Sequence, residues 1–210
     1  MIQTLQAKEI ELRYLIDHFG LQFVQEEQFF PEWQENLTEI TDLQKQLLDQ
    51  VRAGYFNLLE YPPMLEDVVR MAVLDPILFI GGFYLAPFHV KSEEPIDLFE
   101  EDDGVVIKGR IDTLVLHNSL WVMTIESKKV AFSIEEGLSQ IIVYMLSNSQ
   151  TKQPSYGLIT TGGSFMFLKL LKGERPQYAT SKVFITRNPG ENELYQVLRI
   201  FKRLSQITIA

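Results

Sequence analysis

The chain contains no cysteine, so disulfides, thiolate metal centres and cysteine nucleophiles are excluded, and nothing calls for an oxidising compartment. Its histidines, His18, His89 and His117, do not cluster, and neither a G-x-S-x-G elbow nor a metalloprotease helix is present. Long apolar runs are missing as well. The longest, Ile77 to Ala86, contains Gly81 and Gly82 and falls far short of the roughly 20 residues that span a bilayer. The N-terminal stretch has no basic segment leading into an apolar one, so no secretory leader is expected and a cytoplasmic chain is. Basic charge is also in deficit. A net charge of -9 argues at first sight against a polyanionic partner.

The distribution of that charge points the other way. Residues 1–103 hold 6 Lys+Arg against 21 Asp+Glu, whereas residues 104–210 hold 13 against 7, giving balances of -15 and +6. Such asymmetry suits a polyanion at one end of the molecule. Acidic helices acting only as solvated faces account for it equally well. With 210 residues and a hydrophobic fraction of 46%, the chain suits one domain with an elaboration and is too apolar for general disorder.

Hydrophobic spacing predicts a helix over Lys8 to Phe19, closed by Gly20. Thr41-Asp42-Leu43-Gln44 has the form of a capping box ahead of a second helix that carries Leu48, Val51 and Tyr55 on one face. Pro62-Pro63 ends that helix and opens another with Leu65, Val68, Val69 and Ala72 inward, and Asp75-Pro76 marks a break or kink, with the apolar run continuing as a buried helix to Tyr84. From Pro87 the period moves towards two. Phe88 to Lys91 reads as a short strand, and Val105 to His117 and Leu120 to Lys129 as two strands joined around Asn118. A capping box at Ser133 starts a helix to about Ser147, a hairpin turns at Gly162-Gly163, and a last helix covers Glu193 to Leu204.

Three segments concentrate polar groups among apolar ones: Gly109-Arg110-Ile111-Asp112, Ile125-Glu126-Ser127-Lys128 and Gln140-Ile141-Ile142-Val143-Tyr144. Side chains alternate across a strand, which puts Glu126 and Lys128 on one face. Ile107, Ile111, Val115, Trp121, Met123 and Ile125 then form the apolar face, and all are odd-numbered. A three-residue connection 117–119 pairs Asp112 with Thr124 and sets Glu126 diagonally beside it. A two-residue turn throws Asp112 onto the apolar face, the unfavourable register. The hydrophobic pattern therefore selects the register that joins the carboxylates.

Adjacent carboxylates repel unless a cation lies between them, and hard oxygen ligands without cysteine or paired histidine favour magnesium or manganese. Lys128 is placed to orient a water or steady a phosphate. An isolated E-x-K is more often a structural salt bridge; Asp112 in matching register tips the balance. Gln140 and Tyr144, four apart, share a helix face, although a surface glutamine and an ordinary part-buried tyrosine fit the same spacing.

In their order and spacing, Gly109-x-x-Asp112, Glu126-x-Lys128 and Gln140-x-x-x-Tyr144 resemble the motif series of the PD-(D/E)XK nuclease superfamily, most closely its RecB-type members. The wider stretch from Leu74-Asp75-Pro76 to Ala131, with Tyr156 to Thr160 beyond, is similar to cyanobacterial proteins labelled restriction endonuclease R-subunit-like. The resemblance implies an α/β restriction-endonuclease-like fold: a mixed sheet flanked by helices, with a helical elaboration over 1–58 and a nuclease-like core over 59–210. It implies a magnesium- or manganese-dependent DNA endonuclease. Asp112 and Glu126 become metal ligands and Lys128 the catalytic lysine. Glu66 is the best match for an acidic ligand on a preceding helix, ahead of Asp67 and Glu60. Gln140, Tyr144 and Arg110 become accessory or DNA-binding residues. Ile111 stands where the superfamily's name has proline, and no G-x-x-x-x-G-K-[ST] loop accompanies the motifs, so translocation is not expected. A nuclease-fold module that binds DNA or protein without cutting is the alternative. One site per chain makes a homodimer the simplest way to cut two strands, and the acidic N-terminal helices suit a protein partner.

Overall fold

A computed structural model describes residues 3–61, 65–100, 104–118, 120–128, 133–150 and 153–209. The chain is mixed α/β, with a nine-stranded mixed sheet flanked by helices on both faces. Its strands are β1 Gln3–Gln6, β2 Gln22–Phe23, β3 Phe88–Glu100, β4 Val105–His117, β5 Leu120–Ser127, β6 Ser155–Thr160, β7 Ser164–Leu171, β8 Gln177–Thr180 and β9 Phe184–Ile185. They run in the order β1-β4-β5-β6-β7-β8-β2, with β3 on β4 and β9 on β7. β1 with β4, β5 with β6 and β2 with β8 are parallel; the remaining pairs are antiparallel.

The helices are α1 Leu12–Phe19, α2 Asp42–Leu59, α3 Glu66–Val69, α4 Asp75–Gly81, α5 Leu138–Ser147 and α6 Leu194–Thr208. Strand alternation divides the core into two layers. Leu158, Phe165 and Phe167 face α2, α4 and α6, while Ile159, Met166 and Leu168 face α1 and α5. No helix among the described residues is long and apolar enough to cross a membrane.

Local chemistry accounts for most boundaries. Thr41 caps α2 through a complete capping box with Gln44. Gly20 closes α1 in the left-handed conformation, but α1 begins only at Leu12, because Ala7–Glu9 forms a 3-10 turn after β1. Of the break or kink expected at Asp75-Pro76, the break does not occur; the irregularity is a change of helical winding just ahead of the proline. Residues Arg70–Leu74 form a π turn, with the Asp75 N–H bonded to the Arg70 carbonyl, so α3 and α4 are one continuous helical run. A proline inside a regular α-helix would clash with the carbonyl four residues back, and the wider π turn falls in the residues just before Pro76. Leu65, expected inward, is exposed, and the buried helix expected to Tyr84 ends at Gly81 with Phe79 and Leu85 exposed. The short strand expected at Phe88 is thirteen residues long. Pro62-Pro63 lies outside the described residues.

Residues 1–58, expected to be a helical elaboration, supply two strands as well as helices, one towards each end of the sheet. β1 has a consequence for β4. One side of β4 is paired by β3 along its length. The other side is shared: β1 pairs with Val105–Lys108 and β5 with Thr113–His117. Between them Gly109–Asp112 has no strand partner on that side among the described residues, leaving a notch in the sheet.

Candidate functional site

The carboxylates meet at this notch, but not by the expected register. The β4–β5 connection has two residues, His117 pairing with Leu120, which alone would have placed Asp112 on the wrong face. A β-bulge between Val115 and Leu116 restores the parity, so that Val115 opposes Met123 and Leu114 opposes Thr124. Continued past Thr113↔Ile125, this register sets Asp112 opposite Glu126, not Thr124.

The single odd-numbered apolar face is corrected too. Ile107, Ile111 and Trp121 belong to the α5 side, and Val115, Met123 and Ile125 to the α2–α6 side. The inward parity of β4 changes between Ile111 and Thr113. Asp112 sits at that changeover, next to Glu93 of β3, whose φ is 54°. A non-glycine residue in that region marks a locally forced backbone.

Ser127 donates its backbone N–H to Asp112 Oδ2 at 2.7 Å, which ties β4 to the end of β5. Glu126 is 1% exposed and pairs through Oε1 with Lys128 Nζ at 2.6 Å. Its Oε2 is buried with no partner among the described residues. Lys128 Nζ also donates to Gln140 Oε1 at 2.9 Å, and Gln140 Nε2 donates to the Tyr144 hydroxyl at 2.6 Å. That hydroxyl interacts with the Arg110 backbone as well, so Tyr144 stands in for the strand missing at the notch. Gly109 permits the approach, since a Cβ there would meet the Tyr144 ring at 2.7 Å and the Ala7 Cβ at 2.8 Å. One chain of contacts thus runs from Glu126 through Lys128 and Gln140 to Tyr144 and back to β4.

Burial pushes the Asp112 carboxyl up to about 7; Glu66 and Glu93 add to the rise, and the Ser127 N–H and Lys128 oppose it. Burial likewise raises Glu126 to about 8, with Asp112 adding to the effect and Lys128 working against it. Two acids held up together by desolvation and mutual repulsion mark a place short of positive charge.

Glu66, Asp67, Arg70, Glu93, Asp112 and Ser127 line a cavity of about 340 Å³ on the α3 side. Glu66 is close enough to raise both site carboxyls, yet no three His, Cys, Asp or Glu side chains among the described residues converge to hold a metal ion as they stand. Asp112, Glu126, Lys128, Gln140 and Tyr144 are brought together. Arg110 is exposed and lines a second, wider cleft. Glu93 was missed from sequence; the chain signals it only as one acid among Ser92-Glu93-Glu94-Pro95, with nothing to mark its conformation.

A divalent cation fits the donor set. Glu126 Oε2, buried and unpartnered, is an oxygen that a cation would satisfy. Hard carboxylate oxygens suit magnesium or manganese. The chain matches no protein-family model and no curated protein.

Proposed function

We propose that this protein is a metal-dependent DNA endonuclease of the PD-(D/E)XK kind. The reading is carried by one observation: Asp112, bonded by the Ser127 N–H at 2.7 Å, lies close enough to raise the Glu126 carboxyl, and Glu126 pairs with Lys128 at 2.6 Å while its other oxygen is buried with no partner among the described residues. Asp112 and Glu126 would hold Mg²⁺ or Mn²⁺, with Glu66 the nearest supplement from the helical side. When bound, the cation supplies neutralisation of charge on a phosphate and acidification of water.

The chain's own groups do the rest. Lys128 Nζ is aimed by Glu126 Oε1 and Gln140 Oε1, so its remaining donor capacity turns to the scissile phosphate or the attacking water. Gln140 is held in turn by Tyr144, which is 2% exposed and acts on the site instead of stacking on a base. The basic balance of residues 104–210 suits a phosphodiester substrate.

Plasmid nicking with magnesium tests the reading in wild type, Asp112→Ala and Lys128→Ala. Loss of cutting in both variants is expected, by at least about a hundredfold for a removed general-acid–base or charge-stabilising group. Equal activity in all three excludes it. The absence of a preformed third ligand among the described residues favours a second reading, a nuclease-fold module that binds without cutting. It predicts DNA affinity with no magnesium or manganese binding in a titration.

A further inference from the structure

The sheet notch opens on its outer side into a cleft of about 720 Å³, larger than the cavity beside Asp112. Gln6 and Lys8, where β1 turns into the 3-10 helix, form one wall. Lys108 and Arg110 of β4 form the floor, and Gln140 and Tyr144 of α5 close the end nearest the carboxylates. Parallel pairing of Gln6 with Lys108 carries Lys8 to this cleft from a half of the chain otherwise dominated by carboxylates.

The cleft's ionisable lining besides Tyr144 is Lys8, Lys108 and Arg110 against Glu93 and Asp97. Glu93 is shared with the cavity beside Asp112 and acts on its carboxyl. Asp97 lies 3.8 Å from Lys108, both about half-exposed, a separation that commits neither strongly. Lys8 and Arg110 have no ion-pair partner among the described residues and are exposed. Two uncommitted cations and a loosely held third thus line a concave surface in a chain of net charge -9. Lys108, Arg110 and Asp112 follow one another along β4 at about 6.6 Å per two residues, so the cleft leads along one strand to the carboxylates.

We infer that this cleft binds the phosphodiester backbone of the substrate beside the cleavage point, with Lys8, Lys108 and Arg110 contacting successive phosphates. The N-terminal β1 and its 3-10 turn are then part of the nucleic-acid surface. This rests on the nuclease reading and adds to it a substrate path that includes Lys8.

Binding of a fluorescein-labelled DNA oligonucleotide, followed by anisotropy in EDTA over a range of salt concentrations, provides the test, with cleavage measured separately in magnesium. Each lost phosphate contact lowers the salt slope by about 0.7–0.9. The double variant Lys8→Gln/Lys108→Gln should lower it by about 1.5 and weaken binding several-fold at low salt. Lys45→Gln, on α2 beside Asp42, should change neither. The substituted lysines are exposed, and an unchanged melting temperature verifies the fold. A wild-type slope and affinity in the double variant, with wild-type cleavage intact, overturns the cleft assignment and leaves the nuclease reading standing. Failure of the wild type to bind DNA at any salt, together with failure to cut it, overturns both.

Discussion

Glu126→Gln should make the protein more stable at neutral pH while abolishing its proposed activity. In the folded chain the Glu126 carboxyl is held at about 8 against an ordinary value of 4.5. It binds its proton more tightly folded than unfolded, so stability falls as pH rises between those values. At ~1.4 kcal/mol per pH unit, the penalty reaches about 3 kcal/mol at pH 7. Glutamine keeps the shape and remains able to accept from Lys128, but it has no proton to lose. In EDTA, the wild-type and variant stability curves should therefore meet near pH 4 and separate towards neutrality. In melting temperature the gap would be roughly 6–12 °C in the variant's favour, taking ~2–4 °C per kcal/mol for a chain of this size. Urea or thermal unfolding monitored by circular dichroism at half-unit pH steps measures it. Magnesium should narrow the gap by stabilising the wild type alone. Parallel curves from pH 4 to 8, or a gap that opens on the acid side, would refute the claim that this carboxyl is buried short of positive charge.

Two further substitutions probe the scaffold. Arg52 of α2 donates to the carbonyls of Thr186, Asn188 and Gly190 at 3.0, 2.6 and 3.3 Å. Arg52→Ala should cost about 2–3 kcal/mol in urea unfolding, with Arg52→Lys recovering only part, since one ammonium cannot span three acceptors; an unchanged midpoint would contradict the clamp. At Gly109→Ala the new methyl meets the Tyr144 ring and Ala7 below 3 Å. A loss of about 1–3 kcal/mol and a drop in DNA cleavage are expected, and an unaltered unfolding midpoint would show that the contact between β4 and α5 is looser than described.

Features written within a few residues were legible before any coordinates. The Thr41–Gln44 capping box, the Gly20 cap, the Gly162 turn and the limits of β4 each depend on local chemistry. So was the helical stripe that carries Gln140 and Tyr144, because a spacing of four brings two side chains together on any helix. The π turn was not, since Pro76 in sequence reads as a break or kink without saying which, whereas in the fold Val69, Val73 and Ile77 all pack into one core across it. The pairing of β1 with β4 was equally invisible. It joins residues far apart in the chain, and the partly polar β1 lacks the apolar alternation that announces a strand.

The meeting of Asp112 and Glu126 shows why a sound parity argument can reach the right face through the wrong register. Leu114-Val115-Leu116 and Trp121-Val122-Met123 are apolar at every position, so alternation there is uninformative and a bulge leaves no trace in the pattern. Only the polar residues beyond the bulge carry parity information. They demand that Asp112, Glu126 and Lys128 not be driven into apolar layers. Any connection that satisfies this demand is acceptable, whether three residues long or two with a bulge. The bulged solution moves the pairing by two positions and, although the ladder ends at Thr113↔Ile125, its continuation brings Asp112 and Glu126 level with each other. That is the tighter arrangement electrostatically, and without a cation the costlier one. The fold tolerates it because β5 begins to pair only at Thr113 and β1 has ended at Lys108, leaving room at Gly109–Asp112 for Tyr144 and Gln140 to meet the exposed backbone and Lys128. A site of this kind arises from an interruption in pairing, and its acids become readable as a pair only once two non-local strands are known to stop short of each other.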